Sequence, residues 1–229
     1  MSPRYPWLIF DADNTLYDFD AAERNAFVEL MRSLRAGNPE ELYPLYQNIN
    51  HAVWHDFEAG RINADEVKVL RFRRLFEQLG LDADADAASK HYLSFLGRHN
   101  ELLEGAREIV ERLSRRHRLL LLTNGLTRVQ RARFGSSEIA PFFEHIIISE
   151  EVGAVKPQAA IFDIAFARMG HPAKKDVLMI GDKLSSDIAG GQNYGLDTVW
   201  YNPGRLPLPV TPRPTYTISA LRELPALVD

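Results

Sequence analysis

Cysteine is absent from the 229 residues, which removes disulfides, zinc thiolates and thiol nucleophiles together. An excess of positive charge is absent too. Lys and Arg number 27 against 31 Asp and Glu, and a net charge of -4 lacks the basic surplus of a nucleic-acid binder. No apolar stretch approaches the length of a membrane span, and residues 1–6 lead into the first apolar run without the hydrophobic core and cleavage site of a signal peptide. Internal repeats and low-complexity tracts are missing as well. The expectation from these absences is a cytoplasmic protein with a small-molecule partner, no nucleic-acid polymer and no membrane.

What the chain contains is the balance of a folded protein, 45% hydrophobic and 25% charged, long enough to bury a sizeable core. It begins with the apolar run Trp7-Leu8-Ile9-Phe10, which stops at two carboxylates, Asp11 and Asp13. A run apolar on both faces predicts a strand inside a parallel sheet. Helical periodicity follows from about Asp20 through Leu34 with a stop at Gly37-Asn38-Pro39, then over 40–58, 63–79 and about 83–98. No strand pattern interrupts residues 20–99, so a helical block is inserted directly after the first strand.

From Glu104 onward strands and helices alternate, the rhythm of a parallel sheet. A helix over 104–116 carries acids early and arginines late, the order that suits the helix dipole. Strands are predicted at Leu119-Leu120-Leu121-Leu122, at 145–149, at Val177-Leu178-Met179-Ile180, at 198–201 and at 216–218. Helices are predicted from about Thr127, over 160–169 and after Asp187, with a proline-rich connection over 203–214 and a last helix at the end. The fold class expected is α/β, a parallel sheet with a helical insert.

Functional residue types collect at the strand ends. Asp11 and Asp13, Thr123, Lys156, and Asp182 with Asp187 each lie at or soon after a predicted strand. Ligands of open α/β sheets bind beyond the carboxyl ends of the strands, and residues two apart in an extended segment face one side. Two like charges about 4 Å apart repel by about 4 kcal/mol at an effective dielectric of about 20, so an acid pair there calls for a cation or a proton. Phosphoryl transfer needs that arrangement, because the protein mainly positions the group and neutralises its charge. Taken singly, Asp11 and Asp13 also suit a turn, Thr123-Asn124-Gly125 another turn, and Asp182 and Asp187 a helix cap.

Taken together, Asp11-x-Asp13-x-Thr15, Thr123, Lys156 and Gly181-Asp182-x-x-x-x-Asp187 resemble, in order and spacing, the motifs of the haloacid dehalogenase superfamily. The resemblance implies a Rossmann-like core of residues 1–18 and 100–229 and an all-helical cap of residues 19–99. It further implies that Asp11 is the nucleophile, that Asp13 moves the proton, and that Thr123, Asn124 and Lys156 hold the phosphoryl oxygens. Magnesium would be bound by Asp11, the Asp13 backbone carbonyl and Asp182, with Asp187 orienting the metal's surroundings or Lys156. An acid at position 13 matches the phosphatases and phosphomutases of the superfamily rather than its dehalogenases.

A finer resemblance, on Asn50, Trp54, Gly60, Arg71-Phe72 and the run from Ile148 to Pro157, is to the bacterial pyrimidine 5'-nucleotidases of the house-cleaning type. It implies a magnesium-dependent hydrolase of nucleoside monophosphates, with Asn14, Tyr17, Asn50 and Trp54 as candidate specificity residues. A sugar-phosphate phosphatase, a phosphomutase and a phospho-accepting regulator or sensor remain alternatives. Other patterns read as plain structure. His51 and His55 share a helix face without a third ligand, and Asp82-Ala83-Asp84-Ala85-Asp86 lacks the glycine and glutamate of a calcium loop.

Overall fold

A computed structural model describes residues 3–228; Met1 and Ser2 of the N-terminal stretch read above, and Asp229, lie outside them. Strands β1 (Trp7–Phe10), β2 (Arg118–Thr123), β3 (His145–Ile148), β4 (Val177–Gly181), β5 (Asp197–Tyr201) and β6 (Tyr216–Ile218) form one sheet. Their order is β3-β2-β1-β4-β5-β6, and every neighbouring pair is parallel. β1 therefore runs down the middle and is buried along its whole length.

Alternation along the strands divides their side chains between two apolar layers. Leu8, Phe10, Leu119, Leu121, Leu178 and Ile180 pack on one face with Ile109 and Val110 of the helix Ala106–Ser114. Trp7, Ile9, Leu120, Leu122, Val177 and Met179 pack on the other with Ile161, Phe162 and Ala165. Burial on both faces explains why these strands read as continuous apolar runs rather than as alternating ones.

Two compact units account for the chain, one comprising residues up to Asp18, Glu101–Thr127 and Phe134 onward, the other Phe19–Asn100 with Arg128–Arg133. The second unit is helical: α1 (Phe19–Leu34), α2 (Pro39–Glu58), α3 (Ala64–Leu79) and α4 (Ala85–Leu96). Each later start carries its cap. Asn38 accepts from the Glu40 N–H, Asn63 and Glu66 form a reciprocal capping box, and Asp84 accepts from the Asp86 and Ala87 N–H groups. The acidic stretch 82–86 is thus a helix start. α1 ends before the expected Gly37-Asn38-Pro39 stop, because Arg35 already takes a left-handed φ of 53° and Asn38 opens the next helix. Rings fill the interior, with Phe27 stacked on Tyr46 at 4.6 Å and Phe72 edge-on to Tyr92 at 5.2 Å.

The sheet unit is completed by α5 (Ala106–Ser114), the two ends of α6 (Thr127–Gly135), whose middle residues Arg128–Arg133 belong to the helical unit, and α7 (Ser149–Val152), α8 (Ala159–Arg168), α9 (Ala189–Tyr194) and α10 (Pro225–Val228). The helix expected over 104–116 is shorter at both ends. The third strand stops at Ile148, since Ser149 already begins the single turn of α7. The proline-rich connection has no helix or strand over 203–214, and Leu206, Leu208 and Val210 are exposed on it. No helix among the described residues is long and apolar enough to cross a membrane.

Candidate active site

The carboxyl ends of the central strands deliver the reactive groups. β1 extends its ladder one residue, the Asp11 N–H donating to the Ile180 carbonyl at 2.9 Å, so Asp11 leaves the sheet in fixed register. Thr123 is the last residue of β2 and is buried against Ile148 of β3. Lys156 comes from the loop after α7 and is 1% exposed. Asp182 follows Gly181 at the end of β4, and Asp187 lies in the single π-type turn Leu184–Ile188. A Cβ on Gly181 would overlap the Asp187 carboxylate, so the glycine is what lets that acid lie against the strand end.

Lys156 is the hub of the cluster. Its Nζ donates to Asp11 Oδ1 at 2.6 Å and to the Leu122 carbonyl at 2.7 Å, and pairs with Asp187 Oδ1 at 2.8 Å. The three donors of an ammonium are all engaged. Asp187 Oδ2 accepts from the Lys183 N–H at 3.0 Å, and Thr15 Oγ1 donates to Asp182 Oδ1 at 3.4 Å. Asp11, Asp182 and Asp187 offer oxygens that lie within 4.8 Å of one another.

Burial dominates the titration of these groups. It lifts the Asp11 carboxyl to about 7; Lys156 pulls it down, and Asp187 and Asp13 add to the rise. Burial, with Asp11 and Asp187, also raises Asp182 well above the usual carboxylate range. For Lys156 burial opposes the charge, but Asp11 and Asp187 outweigh it and hold the ammonium above its ordinary value. Three carboxylates around one ammonium leave an excess of negative charge. A hard divalent cation with oxygen ligands fits that excess, and with both Asp187 oxygens already engaged the donors left are chiefly Asp11 and Asp182.

The other expected residues divide. Asp13 is partly exposed in a tight flap, where Asn14 takes a left-handed φ of 59° and its N–H donates to the Tyr17 carbonyl at 2.8 Å. Asparagine tolerates that conformation, so the turn itself accounts for Asn14. The expectation that Tyr17 meets substrate is not met. Its ring is fully buried beside Phe134, and its hydroxyl shares a 2.6 Å hydrogen bond with Ser137 Oγ. The side chain of Asn124 is likewise not turned to a phosphate: it accepts from the Lys156 N–H and donates to the Lys156 carbonyl, each at 2.8 Å.

Asn50 is 2% exposed inside the helical unit, donating to Glu23 Oε1 at 2.6 Å and accepting from Arg71 Nη1 at 3.2 Å, which corrects its reading as an open substrate contact. Trp54 is half-buried and edge-on to Phe57 at 5.6 Å. His51 and His55 are exposed, and the acid group above is the one metal-like cluster among the described residues.

Two supports were not visible in the sequence. Trp200 Nε1 donates to the Asp182 carbonyl at 2.8 Å, and only the pairing of Gly181 with Trp200 across β4 and β5 brings them together. Ser149 and Glu150, at the start of α7, accept from the Gly125 and Thr127 N–H groups at 3.0 and 2.6 Å and so tie down the loop after β2. A serine and an acid directly after a strand were the available signal.

The model of the haloacid dehalogenase-like hydrolases matches residues 5–195, a span that includes every one of these strand-end groups. The chain belongs to this family. Among its relatives, pyrimidine 5'-nucleotidase PynA of Streptococcus pneumoniae is 34% identical over 98% of this chain and 95% of its own. Pyrimidine 5'-nucleotidase YjjG of Escherichia coli is 31% identical over 98% of both chains. The crystal structure of YfnB from Bacillus subtilis, bound to magnesium, superposes with a TM-score of 0.92 at 36% identity and 98% coverage of both chains. As a haloacid dehalogenase-like hydrolase the protein is an enzyme. The family membership also accounts for the central β1, since its end is where the first acids of the motif set must emerge.

Proposed function

We propose that this hydrolase is a magnesium-dependent phosphomonoesterase that works through a phosphoryl group carried on Asp11, with pyrimidine nucleoside 5'-monophosphates as its first-choice substrates. The observation that carries the proposal is the placement of Asp11 against Lys156 and Asp182 at the end of the central strand, with a second carboxylate two residues on. In the first step an Asp11 oxygen attacks phosphorus, the ester P–O bond breaks, and Asp13 gives its proton to the departing oxygen. In the second, Asp13 takes a proton from water, the water oxygen bonds to phosphorus, and the bond to Asp11 breaks, releasing inorganic phosphate. Thr123 holds a phosphoryl oxygen in line, Lys156 turns to a second one with the donor that Asp11 gives up as its oxygen bonds to phosphorus, and Lys156 then balances the charge that Asp11 regains at the end.

A bound magnesium ion, held by Asp11, Asp182 and the Asp13 backbone carbonyl, would offset the charge spread over the transferred group. Asp187 keeps Lys156 in place through its 2.8 Å ion pair. Support for nucleotides comes from the names of the two relatives at 31–34% identity, and the helical unit is assigned the choice of leaving group. The test is phosphate release with magnesium from pyrimidine and purine nucleoside monophosphates, sugar phosphates and p-nitrophenyl phosphate. Release fastest from the pyrimidine nucleotides is expected. Fastest release from a sugar phosphate would overturn the substrate assignment, and release from none would overturn the reaction.

A further inference from the structure

Lys156 has to place one ammonium among three acceptors, yet its backbone sits in a loop rather than in the sheet. A flexible four-carbon stem gives such placement only if the backbone at its root is fixed. Asn124 supplies the fixing. Its side-chain oxygen accepts from the Lys156 N–H and its amide nitrogen donates to the Lys156 carbonyl, both at 2.8 Å. One primary amide therefore grips both polar groups of one residue, which sets position and orientation together.

The grip is anchored at its own end. Asn124 directly follows Thr123 at the end of β2, and the loop beyond it is tied by Ser149 at Gly125 and by Glu150 at Thr127. On the far side, a Cβ on Gly190 would come within 3.0 Å of the Pro157 Cα, so the chain next to Lys156 is also close-packed from α9. With its oxygen and nitrogen on the lysine backbone, the Asn124 side chain is committed away from a phosphoryl group. We propose that Asn124 is a positioning residue for Lys156, acting on the reaction only through that lysine and not as a ligand of the phosphate.

The kinetic part of this proposal rests on the phosphatase reading; the hydrogen-bonding part does not. Both are tested with Asn124→Ala in the full chain. By NMR-detected hydrogen exchange, the Lys156 amide is expected to exchange about 5-fold faster or more, with the Ile9 and Leu120 amides unchanged. With p-nitrophenyl phosphate, kcat is expected to fall about 10- to 100-fold, while KM and inhibition by inorganic phosphate stay within about 3-fold. Asn124→Asp retains an oxygen for the Lys156 N–H, so its Lys156 amide is expected to exchange at nearly the wild-type rate while kcat stays reduced.

Unchanged Lys156 exchange in Asn124→Ala overturns the proposal, as does weakened phosphate inhibition with kcat unchanged, the mark of a direct ligand. If Asn124→Ala does not fold, Asn124→Asp decides: wild-type kcat there, where the donor to the Lys156 carbonyl is gone, also overturns it. An inactive wild type defeats the phosphatase reading alone, and the exchange comparison still decides the grip.

Discussion

Both units bury a carboxylate and a cation, and they treat them in opposite ways. In the sheet unit every donor of the Lys156 ammonium meets an oxygen, two of them charged. In the helical unit Arg71 reaches Glu23 only through Asn50, and its Nε and Nη2 atoms are buried with no hydrogen-bond partner. Arg71 instead lies over the rings of Tyr92 and Phe72, at 4.7 and 5.4 Å to their centroids. A saturated cluster is held in one geometry, which is what charge stabilisation of a transition state requires. The sheet cluster is thus held by directional hydrogen bonds, and the helical one largely by the packing of Arg71 against rings, at the cost of two unpaired buried nitrogens.

Removing the hub should show the contrast most strongly. Lys156→Met leaves Asp11 and Asp187 buried without their cation, and a loss of about 3–5 kcal/mol in urea unfolding at neutral pH is expected. A loss under about 1 kcal/mol would mean that the sheet cluster is no better anchored than a surface pair.

The helical unit is expected to respond to pH. Burial lifts Glu23 from 4.5 to about 7, against the pull of Arg71, Tyr43 and Asn50 and with a push from Asp20. Between those values the folded unit holds a proton that the unfolded chain has released. The contribution of Glu23 to stability is therefore fullest below about 4.5 and declines as pH rises to about 7, by about 3 kcal/mol. Amide exchange across α1 and α2 from pH 4.5 to 8 should show this slope, and Glu23→Gln should flatten it. A slope that survives the substitution would assign the titration to another group.

The smallest effect concerns choice of substrate. Trp54→Ala is expected to change the ratio of kcat/KM between pyrimidine and purine nucleotides by about 3- to 10-fold, with unfolding little altered for a half-buried side chain. An unchanged ratio would remove Trp54 from recognition.

The same contrast governs how much of the molecule could be read from its sequence. The sheet was legible because burial on both faces writes each central strand as an unbroken apolar run, and because reactive groups follow those runs directly. The helices of the insert were legible from periodicity and from Asn63, Gly80 and Asp84 at their ends. What escaped depends on distant partners. Tyr17 and Asn50 look like free polar groups until Ser137, Glu23 and Arg71 are brought to them by packing. Trp200 has no local mark of its hold on Asp182, and Asn124 reads as a turn residue until Lys156 arrives 32 positions later. The segment Arg128–Arg133 belongs to the helical unit through contacts such as Arg133 Nε to the His99 carbonyl at 2.8 Å, which no periodicity reveals.

The central claim is that Asp11 itself takes the phosphoryl group. Its most direct test is the initial rate of phosphate release from uridine 5'-monophosphate with magnesium, compared between the wild type and Asp11→Asn at matched folded concentration. Asp11→Asn keeps the size of the side chain and removes its charge, and a fall of about 10³-fold or more is expected. Equal rates in the two proteins would contradict the account.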